Sequence, residues 1–268
     1  MGEKNMGTAG TDMLNRKSLR RRLRDGERLA GLWLIAPSPA FIEIARPFGL
    51  DLVTVDMEHG MADLGVLVDV MRILRGTSTA VLVRVPSHDP TLVSRVLDRG
   101  ADGVIVPRVD DRDTAARMAA AARFPPAGNR GLAIGALRAS DYGRSAEYRR
   151  DSDDAVVLVQ IESGAALADA TAIATAPGVD MAFIGPGDLG ADMRLEGDDQ
   201  RHELRSRIDD CLARLKAAGV PVGTVPHCGR APADLFEAGF SLVLHGSDVA
   251  IMQEGLQRYH DLSRPGAF

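Results

Sequence analysis

The sequence predicts a single α/β domain with the architecture of a (β/α)8 TIM barrel. The chain has 268 residues, and a barrel of this type needs roughly 250. Eight short apolar segments alternate with helical segments along it, and each apolar run is continuous, as is typical of parallel strands covered on both faces. The predicted strands span residues 31–35, 52–56, 80–85, 103–106, 156–161, 181–184, 222–225 and 242–245.

Helical segments lie between these strands. The clearest begins with Asp89 as N-cap and Pro90 as first helical residue, and ends at Gly100. The alternative fold, a doubly wound sheet, favours a glycine-rich fingerprint after the first strand, but residues 36–39 read APSP. The helices predicted with definite bounds cover residues 63–76, 89–100, 111–123 and 199–218.

The two ends of the predicted barrel are less regular. We divide the chain into a polar and basic lead-in, residues 1–24, and the barrel, residues 25–268. Leu19 and Leu23 have helical spacing, so the basic run around them is interpreted as a short helix touching the barrel. Nucleic-acid binding by this run is the alternative. The connection 125–155 is long for a compact domain, which indicates a functional or interfacial role.

Composition excludes several classes of protein. The net charge is −5, with 45% hydrophobic and 26% charged residues, which is ordinary for a soluble domain and gives no general attraction to nucleic acid. No apolar run is long enough for a membrane-spanning helix. Cys211 and Cys228 are the only cysteines, so we expect no disulfide framework and a reducing, cytoplasmic location.

Chemistry in this fold takes place where the strands end. Arg84 is the most informative residue there, because a guanidinium inside an apolar strand needs an anionic partner. Taken singly, others have structural explanations: Glu162 at a helix start, Asp188 in a turn, His59 on the surface. Their convergence on one mouth favours a site. The polar residues at the strand ends are Asp56, Glu58, His59, Arg84, Gln160, Glu162, Asp188, His227 and His245, of which the last two are left without a role.

These residue types favour enolate chemistry. Glu162 and Asp188 follow adjacent strands and suit a hard divalent cation such as Mg²⁺ or Mn²⁺. Arg84 would neutralise a developing oxyanion, and His59 would act as general base. The only lysines, Lys4, Lys17 and Lys216, lie outside the predicted strands, so no Schiff-base lysine is expected.

An ordered set of motifs resembles the metal-dependent class II pyruvate aldolases, typified by 4-hydroxy-2-oxoheptanedioate aldolase and 2-dehydro-3-deoxyglucarate aldolase. The resemblance extends over nearly the whole barrel. It implies reversible cleavage of a 4-hydroxy-2-oxo acid to pyruvate and an aldehyde. The motifs are GLWL at 31–34, DMEH at 56–59, VRVP at 83–86, LDRG at 97–100, PPAGNRG at 125–131, QIE at 160–162 and IGPGDL at 184–189.

The resemblance also implies catalytic roles. His59 corresponds to the catalytic base, with Asp56 as its orienting partner. Asp98 corresponds to a carboxylate that raises the basicity of this histidine, although its place on a predicted helix gives no such indication. Arg84 corresponds to the residue that stabilises the transition state.

The binding residues follow in the same way. Glu162 and Asp188 correspond to the ligands of one divalent metal, Mg²⁺, Mn²⁺ or Co²⁺, and no nucleotide cofactor is implied. Gln160 corresponds to a substrate contact, and backbone groups of Gly187 and Asp188 to the site of the pyruvate carboxylate. The family assembles as a hexamer, a trimer of dimers that exchange the last barrel helix. No nucleic-acid or membrane partner is implied.

Two enzymatic alternatives remain open. Oxaloacetate decarboxylation passes through the same enolate without a hydroxyl to deprotonate. An acyl-CoA lyase of the citrate-lyase-beta and malyl-CoA branch is the other, although the chain is short and lacks an obvious basic nucleotide pocket. The loops at 37–39 and 224–227 differ from those of well-known members, so the natural aldehyde is not predicted.

Overall fold

The computed structural model describes residues 18–145, 148, 154–195, 197 and 200–263. Eight parallel strands form a closed barrel in chain order, and the last strand pairs with the first. The predicted fold class is therefore confirmed. The strands are β1 (Leu29–Leu34), β2 (Leu52–Asp56), β3 (Ala80–Arg84), β4 (Gly103–Val106), β5 (Val156–Ile161), β6 (Met181–Ile184), β7 (Val222–Thr224) and β8 (Leu242–Ser247).

Helices cover the outside of the barrel. Asp63, Asp89 and Asp111 cap three of them by accepting backbone N–H groups, as their sequence signals indicate. Of the longest predicted helix, residue 199 lies outside the described residues. The helices are α1 (Leu19–Arg24), α2 (Pro39–Ala45), α3 (Leu64–Ile73), α4 (Pro90–Asp98), α5 (Arg112–Ala121), α6 (Gly164–Ala174), α7 (Pro186–Asp192), α8 (Arg201–Ala217), α9 (Pro232–Ala238) and α10 (Asp248–Ser263), with short 3-10 turns at Arg46–Phe48 and Ile134–Ala136.

Strand boundaries differ from the prediction mainly at the first and last strands. The bounds of β2, β4, β5 and β6 are as predicted, and β3 and β7 each end one residue earlier. β1 begins at Leu29 and not at residue 31, because Leu29 pairs with Leu242 where the barrel closes. This pairing joins strands at opposite ends of the chain, so local sequence contains no signal for it.

The strands separate two apolar layers. Along β2, Val53 and Val55 pack outward against the helices, whereas Leu52 belongs to the inner cluster. Alternation therefore turns Thr54 and Asp56 inward as well. The apolar inner residues fill the barrel interior toward its amino end, and polar side chains occupy the carboxyl ends of the strands. The inner cluster includes Leu29, Leu52, Leu82, Ile105, Leu158, Phe183 and Leu244.

Helix α1 closes the amino end of the barrel. Leu19 and Leu23 are buried in the inner cluster, as predicted for a lead-in helix. Arg20 lies 2.5 Å from Asp180 and Arg22 lies 2.6 Å from Asp51. These two arginines of the basic run are thus engaged within the fold, while residues 1–17 lie outside the described residues.

The described part of the long connection also lies at the amino end. The Arg138 guanidinium donates to the carbonyl of Arg99 at 2.9 Å, and the N–H of Ala139 donates to the carbonyl of Asp98 at 3.1 Å. This part of the connection therefore packs against the C-terminal end of α4, away from the strand ends that carry the predicted site. Over the part of the chain that the structure describes, none of the helices has the length and apolar character of a membrane span.

Candidate active site

The turn after β2 organises one side of the barrel mouth. Asp56, the last residue of β2, is fully buried, and its Oδ1 accepts the backbone N–H of Glu58 at 3.0 Å and of His59 at 3.3 Å. Gly60 follows where any Cβ would collide with the carbonyl oxygens of Asp56 and Ile35. Asp56 and Gly60 therefore fix the backbone of the turn that carries the side chains of Glu58 and His59.

Arg84 lies directly beside Asp56 in the β2–β3 register. Its Nε and Nη2 donate to the two carboxylate oxygens of Asp56 at 2.9 and 2.6 Å, and its Nη1 lies 3.1 Å from Glu58 Oε2. The guanidinium carbon of Arg84 lies over the Trp33 ring, 4.7 Å from the centroid of the ring. The anionic partner that the sequence required for Arg84 is thus present twice.

Asp56 and Arg84 each stabilise the charged form of the other. Burial alone would raise the pKa of Asp56, but the hydrogen bonds and the positive charge of Arg84 outweigh it and hold this pKa below its ordinary value. Burial likewise works to lower the pKa of Arg84, and Asp56 and Glu58 reverse the effect and raise it. The guanidinium therefore remains charged at the mouth.

Gln160 and Glu162 form the opposite side of the mouth at the end of β5. Both are buried. The Gln160 amide donates to Glu162 Oε1, and the N–H of Arg108 donates to Glu162 Oε2 at 3.1 Å. Within the described residues, Gln160 Oε1 is buried without a hydrogen-bond partner. Buried acceptors normally have partners, so this one indicates a place for a ligand.

Asp188 lies in the first turn of α7, just after β6, and is exposed together with Gly187. β5 and β6 pair side by side, and a Cβ at Gly185 would lie 2.7 Å from Glu162 Oε1. Burial raises the pKa of Glu162 to about 7; the Arg108 N–H opposes this rise, and the negative charges of Asp188 and Glu58 add to it. The predicted metal ligands thus lie on one side of one mouth.

His59 and Asp98 are not brought together within one chain. The His59 side chain is 67% exposed at the mouth, and its Nε2 lies 3.9 Å from Glu58 Oε2. Asp56 holds the backbone of His59 and not its imidazole. Asp98 ends α4 at the amino end of the barrel, where Arg130 donates to it at 2.7 and 3.1 Å.

Some residues at the mouth were not assigned a role from sequence. Trp33 and the backbone of Arg108 carry no chemical motif, although alternation along β1 turns Trp33 inward. Glu58 was recognised at a strand end, but sequence reasoning gave it no part in the chemistry. Of the two unassigned histidines, His245 is exposed in β8, while His227 faces away from the mouth against Phe240.

Comparisons with known proteins agree with this arrangement. The family model described as HpcH/HpaI aldolase/citrate lyase matches residues 29–254. The 2-dehydro-3,6-dideoxy-6-sulfogluconate aldolase of Pseudomonas putida is 35% identical over 223 residues, or 83% of this chain and 87% of that protein. The hydroxypyruvate/pyruvate aldolase of Pseudomonas aeruginosa is 34% identical over 249 residues, covering 92% and 93% respectively.

A solved structure extends the similarity to three dimensions. The crystal structure of an HpcH/HpaI aldolase/citrate lyase family protein from Burkholderia cenocepacia J2315 has a TM-score of 0.84 at 34% identity, covering 92% of this chain and 99% of that one. Matches of this extent to aldolases establish a carbon–carbon lyase. The chain therefore belongs to the HpcH/HpaI aldolase/citrate lyase family.

Proposed function

We propose that this enzyme reversibly cleaves a 4-hydroxy-2-oxo acid into pyruvate and an aldehyde with the help of a divalent cation. The observation that carries the proposal is that two hydrogen-bonded pairs of polar side chains lie on opposite sides of one mouth. Arg84 pairs with Asp56 on one side, and Gln160 pairs with Glu162 on the other. Relatives named pyruvate aldolase and 5-keto-4-deoxy-D-glucarate aldolase support the substrate class.

Glu162 and Asp188 are the residues that would hold the cation. The mouth contains four carboxylates, Asp56, Glu58, Glu162 and Asp188, and the Arg84 guanidinium interacts with the first three of them. Over the described residues, no three His, Cys, Asp or Glu side chains form a complete metal cage. Two carboxylates suit a hard cation that keeps open positions for water and a chelating 2-oxo acid, and the bound cation would supply Lewis-acid stabilisation of negative charge.

The chain's own residues account for the other steps. His59 takes the proton of the C4 hydroxyl, and the bond between C3 and C4 breaks as the aldehyde forms. Arg84 faces the oxyanion that develops on the 2-oxo group. The Gln160 side chain contacts the substrate, and the backbone N–H groups of Gly187 and Asp188 hold its carboxylate. A proton returned to C3 completes pyruvate.

The same site also supports oxaloacetate decarboxylation as a second activity. His59 is exposed at the rim, whereas Arg84 and Glu162 lie deeper, where the 2-oxo acid would bind. Decarboxylation forms the enolate without a hydroxyl proton to remove. Loss of His59 should therefore affect it less than aldol cleavage.

The proposal is tested with the metal-loaded enzyme. Pyruvate is incubated with glyoxylate, glycolaldehyde, glyceraldehyde or succinic semialdehyde, with Mg²⁺, Mn²⁺ or Co²⁺, and pyruvate consumption is followed. We expect consumption with at least one aldehyde and its loss on adding a chelator. Chelator-resistant turnover would contradict the metal site, and no consumption with any aldehyde would contradict the assigned reaction.

We propose a hexamer, a trimer of dimers that exchange helix α10. From Ile251 onward this helix is exposed, and it displays a row of large apolar side chains that a neighbour would cover. Assembly would also give Asp98 a route to His59 of another subunit, which one chain does not provide. The apolar residues are Ile251, Met252, Leu256, Tyr259 and Leu262.

Leu256→Glu tests this assembly. A charge in the apolar row should lower the mass measured by light scattering while leaving the barrel folded by circular dichroism. Glu254→Gln, a neutral change on the same helix, is the control. An unchanged mass for Leu256→Glu would contradict the exchange of α10.

We also propose a cytoplasmic location. Cys211 and Cys228 are both unpaired, and burial raises the pKa of the Cys211 thiol to about 11. Unpaired thiols are typical of reducing compartments.

A further inference from the structure

Glu58 contacts both of the residues to which the mechanism assigns chemistry. Its Oε2 lies 3.1 Å from Arg84 Nη1 and 3.9 Å from His59 Nε2. The Glu58 side chain is 14% exposed, against 67% for His59 and 11% for Arg84, so it is buried almost as deeply as the guanidinium. One carboxylate oxygen of Glu58 therefore contacts both His59 at the rim of the mouth and Arg84 in its buried part.

Neutralising Arg84 does not require Glu58. Asp56 is fully buried and already binds the guanidinium through two parallel hydrogen bonds, the strongest arrangement for such a pair. A second carboxylate leaves this group of three with a net negative charge. Burying that extra charge is costly, and burial raises the pKa of Glu58 accordingly. A cost of this kind points to a role beyond folding.

The imidazole of His59 is the group that can use the extra charge. Over the described residues, Glu58 is the carboxylate found within 4 Å of the His59 ring, whereas Asp56 reaches only its backbone. The other charged groups that act on Glu58 are Arg84, Asp56 and Asp188. When His59 accepts a proton, the new positive charge forms 3.9 Å from the carboxylate of Glu58, at the distance of an ion pair.

We infer that Glu58 is a positioning residue that orients the His59 imidazole over the mouth and stabilises its charged form during aldol cleavage. This inference rests on the proposed function, and it assigns to Glu58 the orienting role that the sequence suggested for Asp56. Asp56 instead shapes the turn and holds Arg84. The two carboxylates of the motif thus have separate tasks.

The test compares two reactions of the metal-loaded enzyme. Glu58→Gln keeps the shape of the side chain and removes its charge. For cleavage of 4-hydroxy-2-oxoglutarate, kcat should fall roughly 10- to 100-fold, which is the loss known for removing the partners that orient metal-bound histidines. Oxaloacetate decarboxylation, which has no hydroxyl proton to transfer, should fall much less. Equal losses in both reactions would show that Glu58 acts only through Arg84 and would overturn the inference.

A second measurement isolates the pathway through His59. In a His59→Ala background, adding Glu58→Gln should cause no further loss of cleavage; a further loss of the same size would overturn the inference. Glu203→Gln, which removes a carboxylate from an exposed ion pair on α8, is the matched control. If Glu58→Gln does not fold, Glu58→Asp keeps the charge but draws it back from His59, so the ratio of cleavage to decarboxylation should still fall below that of wild type. An unchanged ratio would overturn the inference.

The outcomes also separate this inference from the proposed function. A wild-type enzyme that catalyses neither reaction with any of the three cations contradicts the proposed function. A wild-type enzyme that catalyses both, with a Glu58→Gln variant unchanged in both, contradicts only the role of Glu58.

Discussion

The two ends of the barrel use acidic residues in opposite ways. At the amino end, Asp51, Asp102 and Asp180 each immediately precede an even-numbered strand. Each accepts a backbone N–H near the start of the strand before it: Ala30 at 3.1 Å, Val81 at 2.7 Å and Val157 at 3.0 Å. This repeated arrangement ties neighbouring strands together where the barrel begins.

Arginines complete the amino end. Arg22 pairs with Asp51, and both Arg20 and Arg123 pair with Asp180. At the carboxyl end, Arg84 interacts with three carboxylates, Asp56, Glu58 and Glu162, and Gln160 Oε1 has no partner among the described residues. At the amino end, ion pairs between aspartates and arginines stabilise the barrel, whereas at the carboxyl end several carboxylates share the Arg84 guanidinium, as is typical of a functional site.

Glu162→Ala should give the largest effect at the carboxyl end. It removes one of the two proposed cation ligands, so aldolase activity should disappear together with Mn²⁺ binding measured by calorimetry. In chelator the variant should unfold at the same temperature as wild type or higher, because a buried carboxylate has been removed. An active variant that resists chelator, or a strongly destabilised one, would remove the contrast between the two ends.

Arg84→Ala should give the next largest effect. Loss of one donor to a developing oxyanion lowers kcat by about 10²–10³. Steady-state pyruvate release measures it, and Arg75→Ala, an exposed arginine outside the mouth, serves as the control. Wild-type turnover in Arg84→Ala would show that this guanidinium has only a structural role.

Sequence reasoning succeeded where a residue's needs were local. A guanidinium in an apolar strand must find an anion, which predicted the partner of Arg84, and adjacent parallel strands had to bring the ends of β5 and β6 together. It could not place residues whose position depends on distant parts of the chain. The distance of Asp98 from His59 depends on where α4 ends relative to the mouth, and the contacts of Glu58 depend on the turn at Gly60.

Asp180→Ala tests the amino end. Arg123 is buried and would lose its carboxylate partner, and the N–H of Val157 would lose its acceptor. Removing one member of a buried pair costs about 3–5 kcal/mol, so the midpoint of urea unfolding should fall clearly while kcat per folded enzyme remains unchanged. Asp169→Ala, at an exposed position of α6, should change stability by less than about 0.5 kcal/mol. A fall in kcat equal to that of Arg84→Ala would mean that the two ends are not separate.

The smallest expected effect concerns His227, which follows β7 at the carboxyl end but faces outward. Its Nδ1 lies 2.8 Å from the carbonyl of Val225, and its Nε2 is buried without a partner among the described residues. Burial lowers the pKa of His227 from 6.5, although the Val225 carbonyl opposes the shift. The unfolded chain therefore binds a proton first as pH falls, so this contribution to stability is complete above about pH 6.5 and decreases below it.

His227→Gln removes this titration and keeps a polar side chain near Val225. Urea unfolding of wild type and variant at about pH 8 and pH 5.5 should show a smaller loss of stability for the variant on acidification, with kcat at pH 8 unchanged. Identical losses would mean that His227 does not contribute to the pH dependence. A loss of kcat would instead indicate that His227 acts at the mouth. The end of the barrel at which a residue lies, and not the direction in which its side chain faces, would then decide whether the residue serves function or stability.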